Sequence, residues 1–315
     1  MNSNFKNNSI LITGAKGLVG NAVRSIRNEY PEFKLYFSES HLDDLTDQND
    51  VEELFKYVRP HHVLHLAAKC GGIQRNLNNP IQQLEDNLLM NTNVIRAAAK
   101  YDVEKLIAFS SVCVFPKKYE VLTEDSMHDG EPFEAHKYYA HAKRLVDLQI
   151  EAHRKERGVN WCSLIPSNIF GKHDFYNLTL GHVVPSLIHK AFLAKQNNEP
   201  LHIWGTGVAK REFLYSEDLA RICLELFRRE EQMPQKMIVS SGEELEIREV
   251  VSKIQRLFGI KEIKYDVDKP NGQLSRRCDL TLFNSIFPNF EFTSLDFALE
   301  ESVRWFQENY PRVRL

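Results

Sequence analysis

The chain has 315 residues, 43% hydrophobic and 26% charged, with a formal net charge of −3. That describes an ordinary globular chain, long enough for one large domain or two modest ones. It excludes a strongly basic nucleic-acid binder, and no apolar run approaches the ~18 residues that a membrane span needs.

In chain order, short apolar runs are each followed by a helical pattern. SILIT (9–13) reads as a strand, then a helix runs to about Glu29. FKLYFS (33–38) is a second strand, with VEELFKYV (51–58) as its helix. HVLHLAA (62–68) is a third, before a long helix from about Pro80 to Tyr101. KLIAFSS (105–111) is a fourth, followed by a helix from about Tyr138 to Arg157 and a fifth strand, VNWCSLIP (159–166). Strands alternating with helices predict an α/β fold, a Rossmann-type doubly wound parallel sheet with right-handed crossovers. After Pro166 the rhythm breaks. SNIFGKHDFYNLTLGHVVP (167–185) reads as a long irregular loop, the kind that carries substrate contacts. Strand and helix pieces return at LHIWG, REFLYS and KMIVSS, with helices near 217–229 and 246–258 and a last helix at LDFALEESVRWFQENY. The expected organisation is a nucleotide-binding domain over 1–166, with segments from about 200–265 returning to it. Residues 167–315 mainly form a smaller C-terminal substrate lobe.

The five cysteines, Cys70, Cys113, Cys162, Cys223 and Cys278, are scattered, with no CxxC pair for zinc and no disulfide framework. No metal is expected. The stretch MNSNFKNNS lacks the apolar core of a secretory signal, so a reducing cytoplasm is the expected location.

TGAKGLVG places Gly14, Gly17 and Gly20 directly after the first strand, where they open a helix. Glycines there let the backbone turn tightly and approach a pyrophosphate at the helix N-terminus. Lys16 inside this loop suits a 2′-phosphate and favours NADP(H). Glu39, after the second strand, favours NAD if it faces the ribose. NADP(H) is the reading adopted.

KYYAHAKRL carries Tyr139 and Lys143, four apart and so on one helix face. An ammonium beside a phenol favours the phenolate, lowering a pKa that starts at about 10. Such a tyrosine exchanges a proton with a carbonyl oxygen while hydride moves to the carbon. Tyr138 competes, but its fourth neighbour is Ala142. Ser111 is the third member of the set. In AFSSVCVFP (108–116), continued extended chain would point Ser111 and Cys113 the same way.

A plain reductase needs no Cys113. A thiol, with a reference pKa near 8.5, can act as a base if a cationic neighbour helps. Inverting a carbon next to a ketone also needs an acid on the opposite face, and His182 in LGHVVP is the candidate. Taken singly, Cys113 reads as a small buried hydrophobe and His182 as a loop histidine bonded to backbone.

TGAKGLVG, HLAA (65–68), SSVC and YYAHAK, in that order, resemble the extended short-chain dehydrogenase/reductase family. With PSNIFGKHDFYN, GHVVPSLIHK and WGTGVAKREFLYSEDLA, the chain resembles the GDP-L-fucose synthase family over nearly its whole length. The resemblance implies a GDP-4-keto-6-deoxy-D-mannose substrate, epimerised at C3 and C5 and then reduced by NADPH at C4. It implies Ser111, Tyr139 and Lys143 as the reductase set, with Cys113 and His182 as epimerase base and acid. For the cofactor it implies Gly14, Lys16, Gly17, Leu18, Gly20, Tyr139, Lys143, Ser167 and His182. For the GDP-sugar it implies Asn168, Lys190, Trp204, Arg211 and Arg276, with Arg277 as alternative to the last. A homodimer through the helices at 80–101 and 138–157 is also implied. Lys172 departs from the family pattern, which has proline there. A 4,6-dehydratase would carry an Asp-Glu pair where this chain has Val112 and Cys113. The nearest alternative is a related nucleotide-sugar epimerase/reductase making another deoxysugar. A more distant one is a non-catalytic NADP-binding sensor.

Overall fold

The computed structural model describes residues 8–38, 44–268 and 275–315. Its first half runs β1 (Ser9–Thr13), α1 (Leu18–Ile26), β2 (Lys34–Phe37), α2 (Gln48–Val58), β3 (His62–His65), α3 (Ile73–Asn78), α4 (Pro80–Lys100), β4 (Lys105–Phe109), β5 (Val121–Leu122), α5 (Lys137–Arg157) and β6 (Asn160–Pro166). The second half runs β7 (Asn168–Phe170), α6 (Val183–Asn197), β8 (Leu201–Trp204), β9 (Lys210–Tyr215), α7 (Ser216–Arg228), β10 (Lys236–Val239), β11 (Glu244–Glu246), α8 (Ile247–Phe258), β12 (Ile263–Asp266), β13 (Arg277–Cys278), α9 (Thr281–Ile286) and α10 (Leu295–Asn309).

The main sheet has the order β10-β6-β4-β3-β1-β2 and is parallel throughout. Its central strands are apolar on both faces because helices cover both faces. All five residues of β1 and of β4 are buried. On one face, Val19 and Val23 of α1 share a core with Leu219, Ile222 and Leu226 of α7. On the other, Phe55 of α2, Val94 of α4 and Val146 of α5 pack over Val63 and Leu106. Lys105 opens β4 from a buried position, and its ammonium donates to the carbonyls of Phe227 and Arg229 at the end of α7. Those carbonyls are ones that a helix C-terminus leaves without internal partners.

The smaller lobe is built on the sheet β11-β9-β7 and the pair β12-β8. Helices α6, α8 and α10 close over it, with Tyr176, Phe213, Phe258 and Phe306 in a shared core. Of the segments between about 200 and 265, α7 and β10 join the main sheet's body. Strands β8 and β12 and helix α8 belong to the second lobe.

Several expectations differ in detail. The third strand ends at His65 and the fourth at Phe109, earlier than their apolar runs suggest. Ser111 is extended, but Val112–Val114 is a 3-10 turn that Ser111 caps by accepting the Cys113 N–H at 3.4 Å. A turn therefore replaces the strand alternation expected to align Ser111 with Cys113. The stretch read as loop contains β7 and the start of α6, a helix with buried residues on most sides and no clean polar stripe. Pro185 in its first turn looks like a breaker but sits where proline is tolerated. Helix α3 was not anticipated. Glu39 lies outside the described residues. Among the described residues, no helix is long and apolar enough to cross a membrane.

Asp147 of α5 is fully buried and ties that helix to the edge strand β10. It accepts from His128 at 2.8 Å, Lys236 at 3.2 Å and Gln235 at 3.3 Å. Burial alone would raise its carboxyl, but His128 and Lys236 outweigh that and hold it below the usual range. Its contribution to stability is therefore present above about pH 4 and is lost as pH falls through the depressed value. Asp147→Ala is expected to destabilise the protein by about 3 kcal/mol at pH 7, read by urea denaturation, because it leaves the Lys236 ammonium without its buried partner and breaks the bonds from His128 and Gln235.

Candidate active site

The parallel strands β1, β3, β4 and β6 end along one edge, and their trailing loops line a cleft of about 1380 Å³ that continues into the second lobe. In open α/β sheets ligands bind there, at the point where strand order reverses, here on either side of β1.

The first wall is the glycine loop. Gly14 has φ +66°, and a Cβ on it would come within 2.7 Å of the Ala67 nitrogen. A Cβ on Gly20 would meet Ala15 Cα at 2.5 Å. Backbone thus packs on backbone, and Gly17 caps α1 without a side-chain bond. The helix N-terminus is left free to face a phosphate, with Lys16 exposed beside it and buried Ser38 behind. This cradle fits a dinucleotide pyrophosphate, and Leu18 lines it too.

The second wall follows β4. Ser111, Cys113, Tyr139 and Lys143 all line the cleft, whereas Tyr138 is 46% exposed and does not. The Lys143 ammonium is buried, donates to the Phe109 carbonyl at 2.8 Å and sits 5.9 Å from the centre of the Tyr139 ring. Ser110 Oγ donates to the Lys143 carbonyl at 3.3 Å, fastening α5 to the end of β4. Arg276, from far along the chain, closes over the Cys113 turn. It donates to the Val112, Phe115 and Pro116 carbonyls at 3.3, 2.9 and 3.1 Å. Arg277 is exposed on β13 and does not line the cleft.

Electrostatics here follow from desolvation. Burial pushes the Tyr139 phenol well above its ordinary value, with the Cys70 and Cys113 thiols adding to the rise. The lowering expected from Lys143 does not win, because the ammonium is itself desolvated and drops to about 8. Burial likewise pushes the Cys113 thiol up to about 11, against the pull of Ser111, Arg276 and Lys143.

The third wall comes from the second lobe. His182 caps α6 with no side-chain bond to that helix and lines the cleft, as do Ser167, Asn168, Lys190, Trp204 and Arg211. Trp204 is 49% exposed, and the Lys190 ammonium lies 4.7 Å from its ring centre. Asn168 donates to the Glu212 carbonyl at 2.8 Å, joining β7 to β9. Ser167 Oγ accepts from buried Ser240 at 2.8 Å. Lys172, the departure from proline, lies away from the cleft and pairs with Glu217 at 2.9 Å.

Cys70 and Asp174 also line the cleft, and neither was given a role there from sequence. Cys70 follows β3 in the loop bearing Gly71 and Gly72, and its place after a sheet strand was the available signal. Asp174 sits inside the quoted stretch GKHDFYN, and nothing in the one-dimensional pattern marks it as buried.

The NAD dependent epimerase/dehydratase family profile matches residues 10–242. A GDP-L-fucose synthase of Dictyostelium discoideum is 35% identical over 311 residues, covering 97% of each chain. A probable GDP-L-fucose synthase of Drosophila melanogaster is 35% identical, covering 97% of this chain and 99% of the other. A crystal structure of a GDP-L-fucose synthetase from Naegleria fowleri bound to NADP superposes with a TM-score of 0.91 at 34% identity, covering 98% of this chain and 96% of that one.

With its thiol at about 11, Cys113 of the free protein should react slowly with iodoacetamide at neutral pH. Peptide mass spectrometry should show its alkylation rate rising about tenfold per pH unit from 7 to 10, because the thiolate is the nucleophile. A plateau near pH 8.5 would mean that burial does not control this thiol.

Proposed function

The chain belongs to the NAD dependent epimerase/dehydratase family, and from that membership we propose that it converts GDP-4-keto-6-deoxy-D-mannose to GDP-L-fucose with NADPH. What carries the reading is one observation: a single cleft is lined by the glycine loop, by Ser111, Cys113, Tyr139 and Lys143, and by His182. A simple ketone reducer would need neither the thiol nor the imidazole.

Gly14, Gly17 and Gly20 with Leu18 and Lys16 would hold the dinucleotide, with Lys143, Tyr139, Ser167 and His182 lining the same cleft. When bound, NADPH would supply the hydride for reduction at C4. Cys113, in the thiolate form that Arg276 and Lys143 favour, removes the acidic proton beside the ketone, and His182 protonates the opposite face of the ring, inverting C3 and C5. The enolate oxygen formed at that stage is the same oxygen that later becomes an alkoxide. Ser111 and Tyr139 donate to it in both stages. Burial keeps the Tyr139 phenol protonated at neutral pH, so it acts as the proton donor when the C4 oxygen needs one. Lys143, with a value of about 8, is mostly cationic at pH 7 and favours charge developing beside it.

Arg211 and Lys190 suit the diphosphate of the GDP-sugar, and Trp204 offers a flat face to ribose or base. Asn168 and Arg276 act from engaged positions. Asn168 braces β7, and Arg276 clasps the Cys113 turn while adding positive charge beside the thiol. In this reading the protein is a homodimer through α4 and α5, supported by exposed Ile81, Leu89 and Leu148 on those helices. It works in the cytoplasm, a location supported by its five free cysteines.

NMR of the product made from GDP-4-keto-6-deoxymannose and NADPH should give the L-galacto configuration. A product unchanged at C3 and C5 would reduce the protein to a ketone reductase. Cys113→Ser should stop solvent deuterium from entering the ring while NADPH binding is retained, and full exchange in that variant would rule out the thiol as base. Tyr139→Phe should slow hydride transfer by about 100-fold or more, with ring exchange slowed far less. Equal slowing would make Tyr139 an organiser of the whole site.

A further inference from the structure

Asp174 is a buried carboxyl in the cleft for which no role has been given. It is 3% exposed. One oxygen accepts the Phe175 N–H at 2.7 Å, and the other is buried with no hydrogen-bond partner. A buried polar atom left unpaired costs stability and calls for an explanation.

The loop around it supplies one. Asn177 Oδ1 accepts from Thr179 N at 3.1 Å and Leu180 N at 2.8 Å, and the Gly181 N–H returns to the Asn177 carbonyl at 3.2 Å. This folds 181 back onto 175. A Cβ on Gly181 would lie 2.6 Å from both the Phe175 and Asn177 carbonyl oxygens. With 175 and 181 in direct contact, Asp174 and His182 are brought near one another on the cleft wall, which both of them line. The Gly72 N–H donates to the Leu180 carbonyl at 2.8 Å and anchors the loop against the floor below β3. Among the charged groups acting on the Asp174 carboxyl, His182 has the largest influence, ahead of Arg314, while burial alone raises it. Arg314 is occupied with the His173 carbonyl at 3.3 Å and the Phe175 ring. His182 acts in turn on His136, which burial pushes down to about 4, so His136 is neutral at pH 7. The Cys70 thiol also feels Asp174.

We propose that Asp174 is the positioning residue for His182, orienting its imidazole toward the sugar ring and returning the proton that it gives up. The inference rests on His182 being the epimerase acid. In the step, an N–H proton moves from the imidazolium to the carbanion carbon and leaves neutral imidazole. The Asp174 carboxyl, whose hold on a proton burial strengthens, then relays a solvent proton to the imidazole and is left as it began. The unpaired oxygen is the one left available to the imidazole during turnover.

Asp174→Asn keeps the bond to the Phe175 N–H and removes the transferable proton. Solvent-deuterium incorporation into GDP-4-keto-6-deoxymannose should fall about 100-fold. Hydride transfer to the already inverted 4-keto sugar and the Kd for NADPH should stay within a factor of about 3 of the parent. In Asp174→Ala, added formate should restore part of the exchange. His182→Asn is run alongside. If it keeps full exchange, the assignment of His182 fails and this inference falls with it. If His182→Asn loses exchange while Asp174→Asn keeps it, the inference alone is overturned. Equal loss of exchange and hydride transfer in Asp174→Asn, without formate rescue in Asp174→Ala, would also overturn it by making Asp174 a packing residue.

Discussion

Parallel register across β1, β3, β4 and β6 is the constraint on which the rest of the site depends. Thr13 stands beside His65, His65 beside Ala108, and Phe109 beside Leu164, so four strands finish at one edge. Each then releases its loop into the same space. The glycine turn, the loop bearing Cys70, the Cys113 turn and the Ser167 segment converge for no other reason. Burial enforces this register. A one-residue slip would turn the covered faces of the strands around, and both faces are packed against helices.

That convergence sets the chemistry through desolvation. Tyr139, Lys143 and Cys113 are drawn into a cleft where the charged form of each is disfavoured. Pairwise attraction between an ammonium and a phenol is real, but it acts after both groups have left water. In this site the loss of hydration is the larger effect, so the phenol and thiol keep their protons and the ammonium binds its proton less tightly. The consequence is a set of proton donors and acceptors that respond to charge developing on a bound ketone.

The second lobe completes the site by reaching back. Arg276 lies 164 residues beyond Val112 in sequence, yet its guanidinium holds the three carbonyls that shape the Cys113 turn. The Glu212 carboxylate accepts the Cys278 N–H at 3.0 Å and keeps β13 beside β9. Asn168 fastens β7 to β9 in the same region. The thiol that motivates the epimerase reading is therefore positioned by residues that themselves line the cleft.

The alternation of strands and helices, the glycine loop and the Tyr139–Lys143 spacing were legible in the chain, because each rests on a local period or a local turn. Ser111 and Cys113 were legible as a pair, although the reason offered, a continuing strand, was replaced by a capped 3-10 turn. Helix α6 escaped notice because burial on most sides erases the polar stripe that marks a helix. Asp174 and Cys70 carry no pattern of their own. Their burial and their neighbours are set by contacts between distant segments. Local sequence determined which elements form and which groups are available to react. Tertiary packing alone decided how strongly each group holds its proton and which groups face one another, because hydration is lost only when the lobes and loops come together.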